Sequence, residues 1–81
     1  MDETLNTVTK FLRELFDEYE GPVTRELRAA DVPQWDSLGH VQLIVLVEQA
    51  FGIRFNSGEV RGFNNLGDLV DAIEKKKSTA S

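Results

Sequence analysis

The side chains that could do chemistry gather in one short run, Trp35-Asp36-Ser37-Leu38-Gly39-His40. A serine placed directly after a capping aspartate stands in the first turn of a helix. Its hydroxyl lies outside the helix, close to backbone N–H groups that lack intrahelical acceptors. A phosphate ester on that hydroxyl would be favoured by those donors and by the helix dipole, so Ser37 is the candidate site of covalent modification. His40 is the sole histidine. Gly39 and Val41 beside it offer no proton relay, so it reads as a surface histidine rather than a catalyst. Trp35, an aromatic just ahead of a helix, reads as a core-packing residue.

The rest of the composition excludes other chemistries. A chain of 81 residues has room for one domain and buries too little to enclose a deep active site. The absence of cysteine removes disulfides, thiolate metal sites and cysteine nucleophiles, and a single histidine removes structural zinc. Asp2, Glu3, Asp17, Glu18 and Glu20 do not follow calcium-loop spacing and read as solvated helix ends; no metal site is expected. A net charge of −5 argues against nucleic acid, whose phosphates demand clustered Lys and Arg, and favours partners with basic surfaces. No signal-like start and no apolar run near the roughly 20 residues of a membrane span is seen, so a cytoplasmic protein is expected.

Four elements must position Ser37. Leu5, Val8, Leu12, Leu15, Phe16 and Tyr19 recur at three- and four-residue steps against Lys10, Arg13, Glu14, Asp17 and Glu18, which predicts an amphipathic helix stopping at Gly21-Pro22. Between Glu20 and Trp35 no apolar period persists, and a long ordered loop is expected. Asp36 then caps a second helix, Leu38 to Phe51, closed by Gly52. Asn56 with Glu59 resembles a capping box for a short helical turn limited by Gly58 and Gly62. Asn65 and Asp68 repeat that spacing before a last helix carrying Leu66, Leu69, Val70 and Ile73 to about Lys76. The run Lys75-Lys76-Lys77 complements that helix's dipole. The domain is expected over residues 1–77, with 78–81 a disordered tail.

On a helical wheel of about 100° per residue the second helix divides into two apolar arcs. Leu43, Ile44, Leu46, Val47, Ala50 and Phe51 span a broad sector suited to a bundle core, joined by Phe16, Leu69 and Ile73. Leu38, Val41 and Val45 form a narrower arc beside Ser37, rimmed by Glu48, Gln42 and Gln49. Exposed apolar strips of this kind mark partner contacts.

The run from Trp35 to Ile44, continued by Glu48-Gln49-Ala50-Phe51-Gly52-Ile53, resembles the phosphopantetheine attachment region of acyl carrier proteins, and the likeness extends from the first helix to about Lys76. The resemblance implies an all-α, four-helix bundle with a long first loop and a short third helix. It also implies a 4'-phosphopantetheine arm on Ser37, installed from coenzyme A by a phosphopantetheinyl transferase that Asp36 assists near its magnesium ion. The arm would carry acyl thioesters to acyl-loading and acyl-transferring enzymes with basic docking surfaces. Leu38, Val41, Val45 and Glu48 would serve partner recognition, and the protein itself would be a non-catalytic monomer.

The sequence departs from the common fatty-acid carriers where Gln42, Gln49 and Ala50 interrupt the carboxylates of the second helix and where Arg54 and Arg61 dilute the negative charge. Trp35 and the Gly39-His40 pair look similar to stand-alone carriers of secondary metabolism or envelope pathways. The departures point to a specialised carrier with dedicated partners, in a fatty-acid-like, polyketide or envelope pathway. Two other readings stay open: an aminoacyl or peptidyl carrier on the same arm, and an unmodified helical adaptor docking through Leu38, Val41 and Val45.

Overall fold

A computed structural model describes the backbone of residues 3–79 and the side chains of residues 3–77. Its helices are α1 (Glu3–Leu15), α2 (Ser37–Phe51), α3 (Ser57–Arg61) and α4 (Leu66–Thr79), with a 3-10 turn at Ala29–Asp31 in the long connection from α1 to α2. No strand occurs among the described residues. The arrangement is the expected all-α one, long first loop and short third helix included.

Helix α1 packs on both α2 and α4. Its three-and-four spacing places Val8 and Leu12 against Leu43 and Val47 of α2 and Leu69 and Ile73 of α4, all with essentially no exposure, and Phe16 follows them into the core. The loop is folded into the same core through Leu27, Val32 and Trp35. Its backbone also closes α4: the carbonyls of Leu27 and Arg25 accept the Leu66 and Gly67 amides at 2.8 and 2.7 Å. These are first-turn donors that the helix itself cannot satisfy. Asn65 caps the same end by accepting the Asp68 amide at 2.9 Å, while Asp68 accepts from Asn64 rather than from Asn65. The box at α3 forms in full, with Asn56 accepting the Glu59 amide at 2.8 Å and Glu59 accepting the Asn56 amide at 3.0 Å. Gly52 closes α2 in the left-handed region at φ 66°, a conformation glycine adopts without a Cβ penalty.

Three expectations need correction. Helix α1 stops at Leu15, not near Tyr19. Distant partners capture the backbone there: Gln34 Oε1 accepts the Glu18 amide, and the Arg13 guanidinium donates to the carbonyls of Tyr19 and Gly21. Phe16 and Tyr19 keep their apolar contacts without remaining helical. Helix α4 continues to Thr79 rather than ending at Lys76, so Ser78 and Thr79 belong to the helical backbone. The expected tail residues Ala80 and Ser81, like Met1 and Asp2, lie outside the described residues. On α2, Leu43, Ile44 and Val47 are buried, but Leu46 and Phe51 are half-buried and Ala50 is exposed. The buried sector is narrower than expected because α1 covers α2 along one side and α3, five residues long, covers little of the other.

Candidate functional site

The site is set by how tightly the start of α2 is held. Asp36 adopts an extended conformation and its Oδ1 accepts the Gly39 amide at 2.8 Å, the expected cap. Gly39 is buried, and a Cβ built on it would stand 2.6 Å from the Gln34 carbonyl oxygen and 2.8 Å from the Phe16 ring. Only a residue without a side chain lets the first turn settle this closely on the loop and on the end of α1. Ser37, two residues earlier, is consequently fixed in place while remaining exposed. Its hydroxyl makes no hydrogen bond within the described chain, and the amides of Ser37 and Leu38 find no backbone acceptor.

Behind Ser37 an aromatic stack anchors the turn. Trp35 is 6% exposed and lies between Phe16 at 5.9 Å and His40 at 6.1 Å, centroid to centroid. Packing is therefore its role in this structure, as expected. His40 departs from the reading as a free surface histidine: it is half-buried and bonded through both ring nitrogens. The Trp35 indole N–H, which can only donate, reaches His40 Nδ1 at 3.0 Å. The ring proton therefore sits on Nε2 and is donated to the Val60 carbonyl at 3.0 Å. His40 thus ties the loop, α2 and α3 together.

Two cavities open beside Ser37, and both are lined by Ser37, His40, Val60 and Arg61. The first, of 380 Å³, continues along Trp35, Asp36 and Asn64. The second, of 570 Å³, runs between α2 and α3 over Val41, Ile44, Val45 and Phe55 and is the more apolar. The two meet at the His40–Val60 bridge. Leu38, Val41 and Val45 stand 67%, 52% and 41% exposed, so the narrow arc faces outward as its wheel position predicts. Glu48 is less free than a steering charge: it is half-buried, and its Oε2 accepts the Phe55 amide at 2.8 Å, pinning the start of the segment that leads to α3.

Two carboxyls away from the cavities are shifted by their partners. The Glu59 carboxyl lies below its ordinary range, first because the Asn56 amide donates to it and then because Lys76 stands at 3.1 Å. Glu74 is lowered in the same sense by the Thr4 hydroxyl and by Lys77. Sequence reasoning missed Gly39, the double bonding of His40 and the pinning of Glu48. Only the first left a local signal: a glycine in the first turn of an otherwise strongly apolar helix sacrifices propensity and points to close packing.

Residues 35–73 match the family model described as the phosphopantetheine attachment site. Helical bundle, exposed first-turn serine and matching model together define a carrier domain for a covalent phosphopantetheine arm. The acyl carrier protein of Borreliella burgdorferi (strain ZS7) is 32% identical over 76 residues, covering 94% of this chain and 95% of its own length. That of Thermotoga maritima is 31% identical over 75 residues, covering 93% of each. The solution NMR structure of the holo acyl carrier protein from Geobacter metallireducens matches with a TM-score of 0.85 at 40% identity, over 95% of this chain and 88% of that one. The chain belongs to the acyl carrier protein family: it is a non-catalytic carrier, and its cofactor is covalently attached phosphopantetheine.

Proposed function

We propose that Ser37 bears the arm and that the protein presents acyl groups, held as thioesters on the arm's thiol, to a dedicated set of partner enzymes. The observation that carries this is the state of Ser37: a rigidly placed, exposed hydroxyl with no hydrogen-bond partner among the described residues, within the matched region and at the mouth of two cavities. The residues fit such a substituent. Unpaired first-turn amides can meet a phosphodiester, and the space beside Ser37 admits a bulky chain. Asp36 is doubly engaged in this reading, capping α2 with one oxygen and leaving the other for the transferase.

When bound, the arm supplies a thiol that forms and exchanges thioesters. This chain's own residues hold its root, shape the cavities and offer the apolar strip of Leu38, Val41 and Val45 to the partner. The net charge of −5 suits basic docking surfaces on the transferase and the acyl-handling enzymes. Gln42, Gln49, Arg54 and Arg61 support a specialised pathway, of fatty-acid-like, polyketide or envelope type, in which the protein acts as a cytoplasmic monomer.

Intact mass after incubation with coenzyme A, magnesium and a promiscuous phosphopantetheinyl transferase tests the assignment. Wild type should gain the mass of one arm and Ser37→Ala none. Arm-sized mass on Ser37→Ala would overturn the site, and no gain on folded wild type would favour an unmodified adaptor.

A further inference from the structure

Four of the nine basic side chains already have work. Arg13 donates to the Tyr19 and Gly21 carbonyls, Arg25 pairs with Asp71, Lys76 with Glu59 and Lys77 with Glu74. Arg61 is different. It is exposed and forms no ion pair among the described residues, yet it lines both cavities beside Ser37 and is the only Lys or Arg among the described residues of either wall. The carboxylates of those walls are engaged elsewhere, Asp36 with the Gly39 amide and Glu48 with the Phe55 amide.

A position in the last turn of a helix would by itself suit an arginine, but α3 has five residues and its dipole is correspondingly weak. The local charge balance gives a stronger reason. Modifying Ser37 adds a phosphodiester anion next to Asp36, where a negative charge already stands, with Glu48 further along the second cavity. Among the described residues, the unpaired guanidinium in the shared wall is the one cation placed to offset it. Its planar fork of donors suits an oxyanion better than an ammonium does.

Resting on the assignment of the arm to Ser37, we propose that Arg61 is an oxyanion site for a group carried on that arm. Two groups have the required chemistry: the phosphodiester at the arm's root and a carboxylate at the free end of a dicarboxylic cargo. The first source makes α3 a sensor of the arm and the second a sensor of its cargo, because Arg61 lies one residue after Val60, whose carbonyl His40 holds.

The test uses four forms of the full-length protein with isotopically labelled arginine: apo, holo with a free thiol, butyryl-loaded and succinyl-loaded. Solvent exchange of the Arg61 guanidinium protons is followed by NMR, with intact mass recorded for each form. An exposed charge pair should slow that exchange by about two- to fivefold. Slowing in all three modified forms relative to apo assigns the phosphodiester; slowing confined to the succinyl form assigns the cargo carboxylate. Arg61→Gln, which leaves an exposed position uncharged without disturbing the core, should shift the phosphorus resonance of the holo form in the first case and leave it unmoved in the second. Arm mass gained with Arg61 exchange equal in all four forms overturns the proposal while leaving Ser37 intact. If no form gains arm mass, the Ser37 assignment falls and this proposal falls with it.

Discussion

Replacing Gly39 with alanine adds one methyl group, and the structure turns that small change into a destabilisation. The new Cβ would lie 2.6 Å from the Gln34 carbonyl oxygen and 2.8 Å from the Phe16 ring. The first neighbour is backbone and the second is a side chain with 1% exposure, so neither can swing away. Overpacking of this kind costs about 1–3 kcal/mol, and contact below 3.0 Å with backbone belongs at the upper end. Alanine returns about 1 kcal/mol of helix propensity. The net loss is about 1–2 kcal/mol, and at about 4–8 °C per kcal/mol for a domain of this size Tm should fall by about 4–16 °C. Gly58→Ala is the matched control: its nearest foreign atom is Asn56 Oδ1 at 3.4 Å, so propensity acts alone and Tm should rise by a few degrees. Thermal melts of both variants by circular dichroism, with extents of modification by the transferase, decide the matter. A Gly39→Ala protein melting at or above wild type would refute the argument that this turn is pressed onto Gln34 and Phe16.

Four further outcomes follow from the same geometry. Leu43→Ala should lose about 2–5 kcal/mol in urea denaturation, whereas Val45→Ala, at 41% exposure, should melt near wild type but slow acyl transfer to a cognate enzyme. Equal melting losses would place Val45 in the core. His40→Leu should leave the Trp35 indole N–H and the Val60 carbonyl unpaired, destabilising by about 1–3 kcal/mol and raising amide exchange in α3; unchanged protection there would show that the bridge does not hold the helix. Because Glu59 and Glu74 are lowered in the folded state, the stability they contribute is present above the ordinary carboxylate range and is lost as pH falls through their lowered values. Glu59→Gln with Glu74→Gln should therefore flatten the acid limb of the stability curve, and limbs parallel to wild type would refute the linkage. Finally, salt screens exposed charges over about 8 Å at physiological ionic strength, so added salt should slow association with a basic partner more than it speeds dissociation; stopped-flow kinetics at two salt concentrations checks this.

Much of this protein is written in relationships between near neighbours in the chain. The three-and-four spacing of Val8, Leu12, Leu43, Val47, Leu69 and Ile73 names helices and core at once, because a helix turns an i, i+3, i+4 series into one face. Asp36, Asn56, Asn65 and Gly52 mark ends for the same reason: a cap and the amide it satisfies are at most a few residues apart. The candidate modification site was legible on these terms too, since an exposed first-turn serine and the outward arc of Leu38, Val41 and Val45 follow from helix phase alone.

Other features rest on partners the sequence holds far apart. Helix α1 has the apolar period to continue past Leu15, but Gln34 captures the Glu18 amide from 16 positions away. Likewise His40 looks free until the Val60 carbonyl, 20 residues on, accepts from its ring, and Glu48 looks like a steering charge until Phe55 claims it. Gly39 shows the division most directly. Its place in α2 was plain from the sequence, but the absence of a side chain mattered only once the loop and Phe16 lay against it. Local periodicity fixes which way a side chain points along its own element; what it meets there depends on how the elements pack, and packing is decided by excluded volume and hydrogen-bond satisfaction over the whole bundle.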